Sequence, residues 1–184
     1  TAVKEEINPH LLRIQYRNND VEQQTRRENL RISGLPESEG EETEGQLIAK
    51  VRSVAEKAGV EINDSDVSTC HRLGRKSDAG RVRQTIVRFA LRRKRDLLYS
   101  SRFNLKGKEG CNKIYINEDL TTMRYSILMR AKDSPQVKGV STRNGNVICK
   151  MTNGETKTIS SPDGLFDIGI DDIEYKKYKL HLME

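Results

Sequence analysis

Apolar and polar positions in the first part of the chain alternate at spacings of four and three. This spacing is typical of the seam along which helices meet in a coiled coil. Asn8 and Pro9 suit the start of such a helix, because Asn caps it and Pro fits its first turn. The pattern therefore predicts a helix whose seam is formed by Ile7, Leu11, Ile14, Asn18, Val21 and Thr25.

Residues in and beside this seam suit an oligomer. Arg17 falls at position g and Glu22 at the following e, the two positions that pair between helices. Asn18 at position a is a polar residue of the kind that fixes register and oligomer state. We expect an oligomer held by Leu11, Ile14, Arg17, Asn18, Val21 and Glu22. The alternative is an ordinary amphipathic helix that docks on its own domain.

Residues 28–118 combine short alternating segments with two helical stripes. Alternation and β-branched residues predict strands at 29–34, 67–73, 85–89 and 113–117. Apolar stripes predict helices at 43–58 and 91–101, the second with Leu91, Leu97 and Leu98 on its inner face. This order of elements is typical of the ferredoxin-like plan, which the RNA-recognition motif also uses.

The last third of the chain predicts a second, smaller unit. Thr121 suits the cap of a helix, and Asn144-Gly145 is a strong hairpin signal. The overall prediction is an α+β fold. Its parts are a coiled-coil helix at 1–27, a ferredoxin-like domain at 28–118, a small α+β domain at 119–170 and a tail at 171–184.

The positive charge of the chain is concentrated in its middle. Lys and Arg number 33 against 27 Asp and Glu, for a net charge of +6. Ten of the bases lie between His71 and Arg95, where Asp78 is the only acid, whereas residues 35–49 hold five Glu and no base. A basic loop, a strand and a basic helix in succession favour contact with a phosphate backbone. The alternative is that these bases pair with the Glu-rich segment.

Base stacking has little support in the predicted strands. The first strand has no aromatic residue, and the third has only Phe89, whose position also suits the core. The standard RNA-recognition motif stacks bases on aromatic residues of its sheet. We therefore expect contacts mainly with phosphates, and little sequence specificity.

Signals for catalysis and metal binding are weak. The run at 74–77 lacks the first glycine of a phosphate-binding loop, and no G-x-S-x-G or C-x-x-C motif occurs. Adjacent Glu118 and Asp119 favour a role as helix-dipole partners. We expect no catalytic activity, cofactor or metal. A metal-dependent nuclease built from acids at distant positions is the alternative.

Cysteine and hydropathy patterns bear on the compartment. Three cysteines, an odd number, favour buried free thiols and a reducing environment. No apolar run approaches about 18 residues, so we expect no membrane span and no signal peptide. The chain begins at Thr1 rather than Met, which predicts a fragment.

Four segments occur in an order that resembles a known family. They are R-R-E-N-L-R-I-S-G-L-P-E at 26–37, H-R at 71–72, T-I-V-R-F at 85–89 and I-N-E-D-L-T at 116–121. Together they resemble the first-open-reading-frame protein of non-LTR (long interspersed element) retrotransposons, over nearly the whole chain. Residues 114–165 also resemble the C-terminal domain of baculovirus few-polyhedra proteins.

The resemblance implies a homotrimeric coiled coil, a non-standard RNA-recognition motif and a small C-terminal domain. It also implies a nucleic-acid chaperone that binds single-stranded RNA and DNA and coats its own transcript in ribonucleoprotein particles, in the cytoplasm and also the nucleus. Residues 17–22 resemble the family's trimer motif, but Asn18 stands where a hydrophobic residue is usual, so dimer and trimer both stay open. A coiled-coil scaffold with incidental nucleic-acid affinity is the alternative.

The candidate nucleic-acid contacts are basic residues of several elements. The resemblance implies that nucleic acid contacts two arginines at the coil junction, the loop at 72–83 and one arginine of the central strand. It also implies a contact with either Arg124 or Arg130. The charge pattern adds bases of the first strand and of the second helix. The full set is Arg26, Arg27, Arg31, Arg72, Arg75, Lys76, Arg81, Arg83, Arg88, Arg92, Arg93, Arg95, Arg124 and Arg130.

Overall fold

The computed structural model describes residues 9–76 and 80–170. It is a mixed α+β structure with two antiparallel sheets, which confirms the α+β part of the predicted fold class. The chain divides into two compact units. The central unit is Arg26–Asp119, and the terminal unit joins helix α1 (Pro9–Thr25) to residues 120–170. Ile7, Asp78 and the predicted tail at 171–184 lie outside the described residues.

Among its described residues the central unit contains four strands and two α-helices, in the order strand-helix-strand-strand-helix-strand. Its antiparallel sheet has the order β2-β3-β1-β4, so the two edges are β2 and β4. The elements are β1 (Asn29–Ser33), α2 (Glu44–Lys57), β2 (Val67–Arg72), β3 (Thr85–Phe89), α3 (Arg92–Ser101) and β4 (Tyr115–Glu118).

Local sequence explains why α2 begins at its first residue. The Thr43 side chain accepts a hydrogen bond from the Gln46 backbone, and the Gln46 side chain accepts one from the Thr43 backbone. This reciprocal arrangement satisfies two backbone donors that the first turn of a helix leaves unpaired. The helix then buries the predicted apolar stripe of Leu47, Val51, Val54 and Ala55.

One face of the central sheet forms the core of its unit. Leu30 and Ile32 of β1, Val87 of β3 and Ile116 of β4 are buried there with the apolar stripe of α2. Phe89 belongs to the same core and is 1% exposed, so it is not available to stack on a base. Helix α3 buries Leu98 as predicted, but its inner face holds Arg95, while Leu91 and Leu97 are exposed.

The terminal unit packs helices on a second sheet. Its strand order is β5-β6-β7, and the predicted turn at Asn144-Gly145 is confirmed, with φ of 55° and 77°. Helix α4 begins after Thr121, whose side chain accepts from the Arg124 backbone, as the capping prediction requires. The elements are α1 (Pro9–Thr25), α4 (Thr122–Asp133), β5 (Val137–Arg143), β6 (Asn146–Met151), β7 (Thr156–Ile159) and a 3-10 helix (Pro162–Ile168).

Helix α1 docks on the terminal unit through a face that lies beside the predicted seam. Asn19 and Gln23 are buried, and Tyr16 packs against the core of this unit. The Gln23 side chain accepts a hydrogen bond from the Thr121 backbone at 2.9 Å. The described apolar seam residues stay outside: Leu11, Ile14 and Val21 are 46%, 54% and 60% exposed. Helix α1 therefore docks through one face and leaves its apolar seam exposed on another.

None of the helices within the described residues is long and apolar enough to cross a membrane.

Candidate nucleic-acid interface

Arg72, predicted to contact nucleic acid, is buried in the central unit. Its guanidinium donates to Glu42 at 2.8 Å and to the carbonyl oxygens of Leu35, Pro36 and Arg83. Only 4% of its side chain is exposed. The Glu-rich connection folds over this residue and occupies its donors, so Arg72 has a structural role here, and its contact with nucleic acid stays a prediction.

Arg95 is a second buried arginine of the central unit. It donates to Glu118 at 2.7 Å, and both side chains are almost fully buried. It also donates to Asp96 and lies 5.2 Å from the centre of the Tyr99 ring. Since α3 turns Arg95 inward beside Leu98, this residue anchors the helix, and its contact with nucleic acid stays a prediction. Glu118 is thus an ion-pair partner of Arg95.

Arg124 is buried in the terminal unit. It donates to Asp20 of α1 at 2.6 Å and to Asn146 of β6 at 2.7 Å, with 4% of its side chain exposed. An arginine held in this way ties two elements together. The sequence left Arg124 and Arg130 as alternatives, and the half-buried Arg130 is the more accessible of the two.

The acidic connection between β1 and α2 (residues 35–43) supplies carboxylates that pair with the arginines at the two ends of the basic loop (residues 72–83). Arg83 donates to Glu37 through both its side chain and its backbone. These hydrogen bonds lower the pKa of Glu37 to about 2. Lys76 donates to the carbonyl oxygens of Ser38 and Gly40, each at 3.3 Å. For Arg72 and Arg83, the alternative of pairing with the Glu-rich segment is the one observed.

Glu42 is the most enclosed acid of this connection. It accepts from Arg72 and from Lys50, and only 7% of its side chain is exposed. The hydrogen bond from Arg72 is the main cause that lowers the pKa of Glu42 to about 2. Charge-assisted hydrogen bonds thus fix the connection to the end of β2, in addition to the apolar contact of the buried Leu35 at its start.

The remaining candidates lie nearer the surface. Arg75, Arg81 and Arg93 are exposed, and none has an ion-pair or hydrogen-bond partner within the described part of the chain. Arg27 is also exposed. Arg88 pairs with Glu28 at 3.1 Å, and Arg92 with Asp96 at 3.6 Å, both at exposed or partly exposed sites where such pairs contribute little.

A buried carboxylate of the central unit binds side chains at and before the start of β1. Asp119 is 2% exposed and accepts from Arg31 at 2.6 Å, from Asn29 at 3.0 Å and from Arg26 at 3.2 Å. Arg31 uses only its Nε for this contact. Its two terminal nitrogens have no hydrogen-bond partner among the described residues. Two guanidinium groups thus share one carboxylate.

The chain matches no family model and no curated protein.

The face of the central sheet opposite the core is the open face. It carries the residues that alternate with the buried ones: Asn29, Arg31, Ser33, Thr69, His71, Ile86, Arg88, Tyr115 and Asn117. Of these, Thr69, His71, Arg88, Tyr115 and Asn117 are exposed. The sequence analysis missed Tyr115 and His71 as candidates. The alternation of Tyr115 and Asn117 with the apolar Ile114 and Ile116 was the signal that could have found this face.

The cysteines and acids form no reactive or metal-binding cluster in the described chain. Cys70, Cys111 and Cys149 are buried free thiols. Burial raises the pKa of Cys70 to about 12 and also raises that of Cys149, which makes both poor nucleophiles. Within residues 9–76 and 80–170, no group of three or more His, Cys, Asp and Glu is placed to hold a metal ion.

Proposed function

We propose that this protein is a non-enzymatic, single-stranded nucleic-acid-binding protein that acts as a homo-oligomer. The observation that carries the proposal is the set of exposed arginines of the central unit. Arg75 and Arg81 in the basic loop and Arg93 on α3 have no counter-charge among the described residues. Exposed arginines without internal partners are suited to phosphate groups, with which they form charge-assisted hydrogen bonds.

The topology of the central unit supports an RNA-recognition-motif-like assignment. Its order of elements and its sheet order β2-β3-β1-β4 are those expected of the ferredoxin-like plan. In that plan both helices pack on one face of the sheet and leave the other face available to a ligand. The exposed residues of the open face agree with such an arrangement.

The exposed seam of α1 supports the proposed coiled coil. Three apolar side chains at a and d positions, Leu11, Ile14 and Val21, are about half exposed or more. A second and third copy of this helix would bury them in the way that coiled-coil seams do. Joining two or three weak binding units in one particle would raise the affinity for a long strand through effective concentration. Dimer and trimer both remain compatible with the seam.

The resemblance to retrotransposon first-open-reading-frame proteins extends this proposal to a biological role. In that role the protein coats the RNA of its own element as a chaperone, within ribonucleoprotein particles of the cytoplasm and the nucleus. Phosphate contacts would make this coating largely independent of sequence. RNA and single-stranded DNA are both ligands in this proposal.

A titration of a fluorescent single-stranded RNA against the purified protein at several salt concentrations tests the proposal. If about 6–10 phosphates are neutralised, the affinity should fall by a factor of roughly 10³ to 10⁵ between about 50 and 200 mM salt. Arg75→Ala with Arg81→Ala should weaken binding and lower the slope against salt by roughly 1–2.

The control removes two positive charges elsewhere on the same unit, with Arg52→Ala and Lys57→Ala on the exposed side of α2. This double variant should bind much more like the original protein than the loop variant does. A folded protein that ignores RNA at low salt would refute the proposal. It would shift the assignment to a coiled-coil scaffold, the second candidate, which the exposed seam of α1 also favours.

A further inference from the structure

We propose that the open face of the central sheet holds one unpaired nucleobase, stacked on Tyr115, with a neighbouring phosphate on Arg31. This inference rests on the proposed function and adds a base contact to it. Tyr115 is 62% exposed on the edge strand β4. Its neighbours Ile114 and Ile116 are buried in the core, so the strand alternation fixes the tyrosine on the open face.

The strand register places cationic and polar side chains beside this ring. Tyr115 is paired with Ser33, and the next residue on the same face of β4, Asn117, is paired with Arg31. Tyr115 and Arg31 are therefore diagonal neighbours across two strands. Such neighbours lie roughly 7–8 Å apart, within reach of aromatic and long side chains. One nucleotide can therefore place its base on Tyr115 and a phosphate near Arg31.

Arg31 is held in place for an anion. Its Nε donates to the buried Asp119 at 2.6 Å, while its two terminal nitrogens have no partner among the described residues. Arg26 donates to the same carboxylate at 3.2 Å. Such a guanidinium is held by its Nε and keeps its two terminal nitrogens available, so it is suited to a phosphate oxygen.

The composition of the open face favours a nucleotide over an apolar peptide. Ile86 is its only aliphatic side chain among the described residues and is half-buried. The exposed residues are polar, basic or aromatic, which is the combination that binds single-stranded nucleic acid through stacking and charge. Stacking on a tyrosine accepts every base, so this contact adds affinity without sequence specificity.

Two oligonucleotides of about ten residues separate the base contact from the phosphate contacts, since single-stranded sites usually span about 4–16 nucleotides. One is an ordinary single strand. The other is an abasic strand that has the same phosphates and no bases. The full protein should bind the ordinary strand about 5–100-fold more tightly, from the usual strength of base–aromatic stacking.

Tyr115→Ala should remove most of this preference and leave the affinity for the abasic strand unchanged. Tyr115→Phe should retain the preference, because the ring survives. Tyr125→Ala is the matched control, since Tyr125 is 55% exposed on α4 and lies in the other unit. It should leave both affinities unchanged. Circular dichroism of each variant checks that the fold is intact.

Tyrosine fluorescence gives a second readout, because the chain has no Trp and six Tyr. The ordinary strand should quench the original protein more than the abasic strand does. Tyr115→Phe should lose this extra quenching while keeping its affinity. Equal binding of both strands by the original protein, or an unchanged preference in Tyr115→Ala, would refute the stacking site. Failure to bind either strand would instead refute the proposed function.

Discussion

The guanidinium of Arg72 and the carboxylate of Glu42 lie 2.8 Å apart, with only 4% and 7% of their side chains exposed. They are separated by thirty residues in the sequence. Glu42 also accepts from Lys50 of α2, and Arg72 reaches three backbone carbonyl oxygens. This pair therefore closes the acidic connection over the end of β2, and its role is structural.

Arg72→Ala should lower the free energy of unfolding by about 3–5 kcal/mol, because it leaves the Glu42 carboxylate enclosed without its main partner. Urea unfolding measures this change. Arg75→Ala, three residues further along and exposed, should change the stability by less than about 0.5 kcal/mol. A stable Arg72→Ala protein with selectively weakened RNA binding would show that Arg72 is a contact after all.

Acid should destabilise the central unit between about pH 4.5 and about pH 2. Hydrogen bonds from Arg83 and Arg72 lower the pKa of Glu37 and Glu42 from 4.5 to about 2. Since the folded pKa lies below the unfolded one, this stabilisation is complete above about 4.5 and is lost as the pH falls toward 2. Unfolding measured by urea at roughly pH 6 and pH 3 tests the effect.

Glu42→Gln should reduce the loss of stability over this range by roughly 1–3 kcal/mol, while being less stable at neutral pH. Glu39→Gln is the matched control, because Glu39 is an exposed acid of the same connection. If both variants keep the full acid sensitivity, the paired carboxylates are not its origin.

Gly34→Ala should be much more damaging than Gly74→Ala. Both glycines have positive φ, 85° and 79°, which costs an alanine roughly 1 kcal/mol. At Gly34 a Cβ would also overlap the carbonyl oxygen of Lys113, whereas at Gly74 it meets open space. Thermal unfolding should therefore show a loss of at least about 2 kcal/mol for Gly34→Ala and about 1 kcal/mol for Gly74→Ala. Equal losses would mean that only φ matters.

Arg124 and Asp20 should be energetically coupled within the terminal unit. Arg124 is buried and donates to Asp20 at 2.6 Å, but Asp20 is 59% exposed. Solvent weakens the pair, so a double-mutant cycle with Arg124→Ala and Asp20→Ala should give a coupling of roughly 0.5–1.5 kcal/mol. A parallel cycle that replaces Asp20→Ala by Asp133→Ala, an exposed acid of α4, should give no coupling. Absence of coupling in the first cycle would mean that Asn146 alone holds Arg124.

Ile14→Asp should dissociate the proposed oligomer and leave the terminal unit folded. Ile14 is 54% exposed at a d position, so a charge there penalises only a coiled-coil seam. Light scattering gives the mass, and circular dichroism checks the fold. Arg13→Ala, at an exposed position beside it, should keep the mass of the original protein. A monomeric original protein would contradict the oligomer directly.

The sequence by itself determined the elements of this protein. The capping residue Thr121, the turn at Asn144-Gly145 and the alternation in β1 act over a few neighbouring residues, so their patterns predicted the structure correctly. Apolar residues recur every two positions in the strands and every three to four positions in the helices. The α+β class follows from these two repeats. For α3 the local pattern was misleading, because Leu91 and Leu97 are exposed and Arg95 is buried.

Only the tertiary structure decided which basic residues are available to a ligand. Arg72, Arg95 and Arg124 read as surface charges, yet each is buried against an acid that lies 30, 23 or 104 residues away. Whether a charge is enclosed depends on which distant segment supplies its counter-charge, and that pairing is set by how the elements pack. The same holds for Tyr115, whose place on the open face depends on the pairing of β4 with β1.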